Sequence, residues 1–411
     1  MSVASFTSSD APVQTPIKIG VIGLGRAFTL MLPTFMQDPR VQLVAACDPI
    51  DSARAQFAQD FAHAHVYTSA EALCQDAQVE LVYIASPHQF HAQHCAMAAA
   101  AGKHMMVEKP MALSLQDCTQ MVGAASAANV RLIVGHSHSF NAPILRTKSM
   151  IDRGEFGKVR MITALNFTDF LYRPRRPEEL VTGQGGGVIH SQAAHQVDIV
   201  RLLGGGLVRS VQAQCGAWDR QRLTEGAYSA LLGFEGGAFA TLTYSGYAHF
   251  DSDVWMDGAG EMGQPKTPAD YGAARQRLSA LSSPDGEGAL KASRNYGGAL
   301  SIPRMRAEPD ENPVPAHNHF GPLIISCDHA DLRPTAAGVW VHGHTSQSFI
   351  DIPGPQVPRQ EVIDELWGAL RLQQKPLHSG EWARASTEVC LGILQASQTG
   401  QSIVPQLQVA A

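Results

Sequence analysis

Between residues 17 and 135, short apolar runs alternate with Ala-rich stretches of helical spacing. The runs at 17–22, 43–47, 81–85, 104–107 and 131–135 are apolar almost throughout, and each ends in turn residues. A strand that is apolar on both faces belongs in a parallel sheet covered by helices on both sides, so the pattern predicts successive βαβ units and a doubly wound α/β domain. Beyond about residue 141 the rhythm changes. Runs at 159–167, 210–217, 228–234 and 238–247 alternate apolar and polar positions, the last two joined across Glu235-Gly236-Gly237 in a hairpin-like turn. A helix over 188–203 interrupts them. Strand-like text returns at 323–327 and 339–342, followed by a helix after Pro358 with Val362, Ile363, Leu366, Trp367 and Leu370 on one face, and by another near 381–397. This half reads as a larger α+β domain with an open, mostly antiparallel sheet. Residues 251–316, rich in Gly, Pro and Ser and without clear periodicity, are expected to form an irregular insertion. The expected division is a flexible tail at 1–15, a first domain at 16–142 and a second at 143–411.

The 411 residues carry 31 basic and 37 acidic side chains, a net charge of −6, with 45% hydrophobic and 17% charged positions. Such a balance supplies no global field for nucleic acid or anionic lipid, and neither partner is expected. No apolar run approaches the roughly 18 residues that span a bilayer. The first fifteen residues lack the basic and apolar regions of a secretory signal. Seven scattered cysteines, none spaced C-x-x-C, argue against a disulfide framework or a thiolate zinc site, and a reduced cytoplasmic setting is expected.

The chemistry concentrates where the strands of the first domain end. Gly20-Val-Ile-Gly23-Leu-Gly25-Arg26-Ala27-Phe28 closes the first strand and opens the first helix, as in a dinucleotide fold. There the glycines permit a tight turn and close approach to a pyrophosphate, which the helix start then binds. The third glycine of that fingerprint is missing, because Phe28 stands where helix and strand should touch. Asp48 ends the second strand, where a carboxylate accepts hydrogen bonds from ribose hydroxyls or else caps the next helix. The neighbouring Asp51 would repel a 2′-phosphate, so NAD is favoured over NADP. Two further strand ends carry Ser86, Pro87, His88 and His91, then Glu108, Lys109 and Pro110. Together with Gly23, Gly25, Arg26, Ala27 and Asp48, the residues Ser86, Pro87, His88, His91, Glu108 and Lys109 are the expected coenzyme contacts. Lys109, at the rim of a cleft, has three open readings: a proton shuttle with depressed pKa, an anion anchor, or an ion-pair partner of Glu108. In the second half, Gly185-Gly-Gly187 leads into a helix with Ser191 and His195 on one face and Asp198 a turn later. His195 is either an acid/base or a core histidine bonded to Asp198.

Together G-V-I-G-L-G (20–25), C-D-P (47–49), A-S-P-H-Q-F-H (85–91), A-G-K-H-M-M-V-E-K-P-M-A-L (101–113), G-G-G-V-I with His195 and Asp198, and the stretch from Ser379 to Val404 resemble the glucose-fructose oxidoreductase, inositol dehydrogenase and rhizopine catabolism (Gfo/Idh/MocA) family. The resemblance spans nearly the whole chain outside the tail and the insertion. It implies a Rossmann domain followed by a larger open sheet, NAD(P)-dependent oxidation of a ring or sugar alcohol, homodimers or homotetramers built on that sheet, and substrate-facing catalytic roles for Lys109 and His195. An aspartate four residues before the histidine is common in the family. Here that position is Ser191, which leaves the usual lysine, aspartate and histidine set incomplete.

The loop Asp169-Phe-Leu-Tyr172-Arg173-Pro-Arg175-Arg176-Pro-Glu178-Glu179 crowds three arginines into four positions. Guanidinium forks match carboxylates, which makes Tyr172, Arg173, Arg175, Arg176 and Ser191 the expected contacts of an anionic substrate. The alternative is a solvated loop whose arginines pair with Glu178 and Glu179. The stretch also resembles the phthalate cis-dihydrodiol dehydrogenase branch, which implies oxidation of a phthalate 4,5-cis-dihydrodiol to 4,5-dihydroxyphthalate. Three competitors remain: a sugar or inositol dehydrogenase, an NAD-binding regulator without catalysis, and a zinc hydrolase built on histidine pairs such as His63/His65, His136/His138, His317/His319 and His342/His344. The pairs have no evident meeting point for three ligands, and no metal is expected.

Overall fold

The computed structural model describes residues 15–135, 137–281, 285–300 and 316–411. The expected tail, apart from Thr15, lies outside them, as do His136 and parts of the insertion. The first domain is a six-stranded, wholly parallel sheet in the order β3-β2-β1-β4-β5-β6. Its strands are β1 (Ile17–Ile22), β2 (Val41–Cys47), β3 (His65–Tyr67), β4 (Leu81–Ile84), β5 (His104–Val107) and β6 (Leu132–Val134). Helices α1 (Arg26–Gln37) and α2 (Asp51–Asp60) cover one face, and α3 (Ala70–Cys74), α4 (His91–Ala100) and α5 (Leu115–Ala127) the other. Both faces are therefore buried, which is why β1, β2 and β4 read as unbroken apolar text.

After α6 (Ala142–Asp152) the chain builds an eight-stranded sheet. Its strands are β7 (Val159–Phe167), β8 (Val208–Gly216), β9 (Ala227–Phe234), β10 (Phe239–Ser245), β11 (Leu323–Cys327), β12 (Ala330–Thr335), β13 (Gly338–Gly343) and β14 (Gln347–Asp351), ordered β14-β13-β12-β11-β7-β10-β9-β8. Only β10 and β7 pair in parallel, and the β9–β10 hairpin turns at Glu235-Gly236-Gly237 as its sequence indicates. The predicted helix over 188–203 is split into a π-helical turn, Ile189–Ala193, followed by α7 (Ala194–Gly204). The sequence pattern did not show β12 and β14, because both are short and β14 is mostly exposed, so neither carries a strong alternation.

Between β10 and β11, where irregular chain was expected, the insertion contributes α8 (Ala273–Ser279) and α9 (Asp285–Ala292). The last two helices separate: α10 (Gln360–Arg371) sends Val362, Ile363 and Leu366 into the core of the first domain, while α11 (Gly380–Thr399) buries Trp382, Val389 and Ile393 in that of the second. The chain thus returns to its nucleotide half at the end, and this return brings residue 359 to the site. No described helix is long and apolar enough to cross a membrane.

Candidate active site

At the end of β1 the backbone of Gly23 adopts φ +97°, and a Cβ there would lie 2.7 Å from the Ser86 nitrogen. Only glycine lets this turn pass the end of β4. Gly25 is the opposite case: a Cβ there would meet nothing within 4 Å, leaving open space above the first turn of α1, which Arg26 and Ala27 begin. Backbone amides at a helix start of this kind are where a dinucleotide's pyrophosphate binds. Asp48 accepts from the Leu24 N–H (2.7 Å) through Oδ2 and from the Ile50 N–H (2.8 Å) through Oδ1. Its carboxylate thus fastens the glycine loop to the next turn, with a second lone pair on each oxygen left for a ribose hydroxyl. Arg54 is held by Asp51 and by the Asp48 carbonyl. These features fit a dinucleotide. Phe28, standing in place of the third glycine, is fully buried, its ring 5.2 Å from Tyr296 of the insertion and 6.1 Å from Phe57. The insertion closes over the helix start, and the aromatic fills the space between them.

One unit on, Ser86 and Pro87 lead from β4, and the Ser86 hydroxyl lies 2.9 Å from His94 Nδ1. His88 is half-buried beside Gly185, its pKa pushed down to about 3 by burial and by the neighbouring His91 and Lys109. His91 departs from its expected role. It is 0% exposed, with Nε2 2.9 Å from the Ser86 carbonyl and Nδ1 3.1 and 3.2 Å from those of Pro110 and Met111. It braces two strand-end loops together and offers no surface to a coenzyme.

Lys109 precedes Pro110 across a cis peptide bond, and its Nζ donates to the Ser191 carbonyl at 3.0 Å, joining the two domains. Burial pushes the ammonium below the ordinary lysine range. Glu108 and Glu261 oppose that shift, and Arg175 and Arg359 add to it. Glu108 accepts from the Tyr83 hydroxyl (2.6 Å), and burial raises its pKa. Lys109 also borders a small cavity of about 30 Å³ whose walls carry Ser137, His190, Asp198 and Trp382.

From the second domain, His195 is buried with its ring 4.7 Å from that of His138 and 5.1 Å from Phe320. Asp198 does not hold it: that carboxylate accepts from Trp382 Nε1 (2.5 Å), Ser386 (2.8 Å) and Ser139. The Ser191 hydroxyl is turned back on its own helix start, donating to the Gly187 carbonyl, so only the backbone of Ser191 reaches Lys109. The arginine loop divides. Arg173 bridges Asp169 (3.0 Å) and Glu261 (3.4 Å). Arg175 lies 3.6 Å above the Phe170 ring and donates to the Phe170 carbonyl (2.7 Å), with its Nε left without a partner. Arg176 is 37% exposed and faces Glu178 and Glu179 at 3.1 and 3.7 Å, as the solvated-loop alternative requires. Tyr172 donates to Asp219 (3.0 Å) and lies 4.0 Å under Arg275. Arg176 and the Ser191 hydroxyl are thus occupied by partners in their own segments, and Tyr172 by Asp219 and Arg275 from distant ones.

Three further residues complete the cluster: His138, which the sequence offered only as half of a histidine pair, and Glu261 and Arg359, which it did not offer. His138 follows β6 as Lys109 follows β5, and the same strand-end logic would have found it. Glu261, from the insertion, lies 3.5 Å from His138 Nε2 and faces Lys109 and Arg173. Burial would raise its pKa, but those three neighbours hold it well below the carboxylate range. Arg359 stands just ahead of α10. Among the described residues no group of three or more His, Cys, Asp or Glu side chains is arranged to hold a metal ion.

Comparison with known proteins accords with this architecture. Residues 17–136 match the oxidoreductase family model described as an NAD-binding Rossmann fold, and residues 144–264 the matching C-terminal domain model. The chain is 46% identical over 385 residues to the 1-carboxy-3-chloro-3,4-dihydroxycyclohexa-1,5-diene dehydrogenase of Comamonas testosteroni, covering 93% of this chain and 95% of that one. It is 23% identical over 252 residues to the myo-inositol 2-dehydrogenase of Thermotoga maritima, covering 60% and 74%. A crystal structure of a dehydrogenase from Bordetella bronchiseptica RB50 superposes with a TM-score of 0.87 at 38% identity, covering 95% of this chain and all of that one.

Proposed function

The chain belongs to the GFO/IDH/MocA oxidoreductase family, and from that premise we propose that it is an NAD-dependent dehydrogenase of carboxylated cyclohexadiene cis-diols, the phthalate 4,5-cis-dihydrodiol being the dicarboxylated case. The observation that carries this reading is the Lys109 Nζ contact to the Ser191 carbonyl of the second domain, one helical turn before His195, within a cluster that gathers the cations Lys109, Arg173, Arg175 and Arg359 around Glu108 and Glu261. Such a cluster attracts an anionic ring, and the Comamonas relative is named for a carboxylated ring diol.

NAD, when bound against Gly25, the start of α1 and Asp48, supplies the two-electron acceptor. Lys109 takes the proton of the reacting hydroxyl, which its depressed pKa favours by keeping a larger share of the amine neutral. His195, one turn beyond the Ser191 carbonyl that Lys109 binds, orients that hydroxyl. Arg175 and Arg359 stabilise the ring's carboxylate. The enone formed from the alcohol tautomerises to a catechol, and the gain in aromaticity draws the reaction forward.

The test is a substrate panel of phthalate 4,5-cis-dihydrodiol, monocarboxylated cyclohexadiene diols, inositols and aldoses, each with NAD and NADP, read by nicotinamide absorbance and by mass of the product. NAD reduction with formation of a carboxylated catechol is expected. Faster turnover of an inositol or aldose than of every ring diol would overturn the assignment.

A further inference from the structure

The two other most deeply buried arginines each have strong oxygen acceptors. Arg201 donates to Gln408, to the Trp382 and Val409 carbonyls and to Ser386, and Arg222 grips both oxygens of Glu287 at 2.9 Å. Arg359 breaks the pattern. It is 9% exposed, and among the described residues its one hydrogen bond goes to the Met262 thioether at 3.8 Å. No carboxylate of a described residue lies within ion-pair distance, although Glu108 and Glu261 are near enough to act on it electrostatically. A guanidinium has five donors, and a thioether is a weak acceptor. Burying that charge without an anion is costly, and folds keep such a group where a ligand completes it.

The backbone holds the side chain in position. Arg359 has φ +55°, and the preceding Pro358 carbonyl accepts from Thr34 Oγ1 of α1 at 2.5 Å. A non-glycine residue in the left-handed region, tied to the first domain on one side and starting α10 on the other, is fixed in direction. That direction leads to the same cluster: Lys109 and His138 both feel its charge. Of the loop arginines, Arg173 and Arg176 already face the carboxylates of Asp169, Glu261, Glu178 and Glu179, and Arg175 is drawn back onto the Phe170 ring and carbonyl.

We infer that Arg359 is the specificity-determining anchor for the substrate carboxylate, receiving it in a bidentate pair and so presenting the diol to Lys109. The inference rests on the proposed ring-diol reading and adds to it the residue that selects carboxylated over neutral rings.

The test uses the NAD-loaded protein and two ring probes, 3,4-dihydroxybenzoate and catechol, titrated calorimetrically against wild type, Arg359→Gln and Arg359→Lys. Wild type is expected to prefer the carboxylated ring, and Arg359→Gln to lose about 10- to 100-fold of affinity for it while catechol affinity stays level. Arg359→Lys should recover part of the loss, because a point charge replaces the fork. Equal loss for both rings, no loss for either, or weaker NAD binding would overturn the inference. Turnover separates the two claims. If the variant loses the carboxylated ring but wild type oxidises no ring diol, the anchor stands and the function fails. If wild type oxidises the diols and Arg359→Gln keeps the preference, the function stands and the anchor fails.

Discussion

Replacing Glu261 with Gln keeps the shape of the side chain and removes one negative charge from the centre of the cluster. The carboxylate lies 3.5 Å from His138 and 3.4 Å from Arg173. At an effective dielectric near 20, unit charges about 4 Å apart attract by about 4 kcal/mol, much of it offset by desolvation. A net value of about 1.5–3 kcal/mol, as for hydrogen bonds to charged groups, predicts a fall in kcat/KM of roughly 10- to 150-fold. The same change alters Lys109, whose ammonium Glu261 helps to hold. Without Glu261, burial, Arg175 and Arg359 push its pKa further down. Lys109 must be neutral to accept a proton, so kcat/KM in wild type rises with pH through its pKa and falls on the acid side. In Glu261→Gln the maximum should be lower and the rising limb displaced toward acid. The assay is NAD reduction with a ring diol across pH values from neutral to the ordinary lysine range. A limb that stays in place, or moves toward alkali, would refute the electrostatic coupling between Glu261 and the proton acceptor.

Lys109→Met should reduce kcat by about 10²- to 10⁴-fold while NAD affinity, measured by fluorescence titration, stays within a few-fold. Arg176→Gln should leave KM near wild type, because this half-exposed pair with Glu178 and Glu179 is worth only about 0.2–1 kcal/mol, whereas Arg175→Gln, which removes a guanidinium close enough to act on Lys109, should raise KM about tenfold. Tyr296→Ala removes a buried ring packed on Phe28 and Phe57, and should destabilise the protein by about 3 kcal/mol or more in denaturant unfolding. Tyr296→Phe, which loses only the bond to Asp60, should cost about 1 kcal/mol.

Much of the framework could be read from residue order alone, since the signals involved are local. Continuous apolar runs mark strands buried on both faces, alternation marks the half-covered sheet, and Gly23 and the Glu235-Gly236-Gly237 turn occupy positions whose backbone geometry a short window specifies. Lys109 and His195 were visible for the same reason, each standing just beyond a strand end or a glycine-led helix start. Whether a polar side chain is free to act was decided only by packing. His91 became a brace, Arg176 a surface ion pair and the Ser191 hydroxyl a donor to the Gly187 carbonyl, according to which group lay nearest in three dimensions. Glu261 and Arg359 left no trace in the pattern, because one lies in an aperiodic insertion and the other just before a helix 98 positions later in the numbering. Periodicity records which face of an element is buried. The electrostatic environment of the site is set by contacts between segments far apart in the chain, and no local pattern encodes those distances.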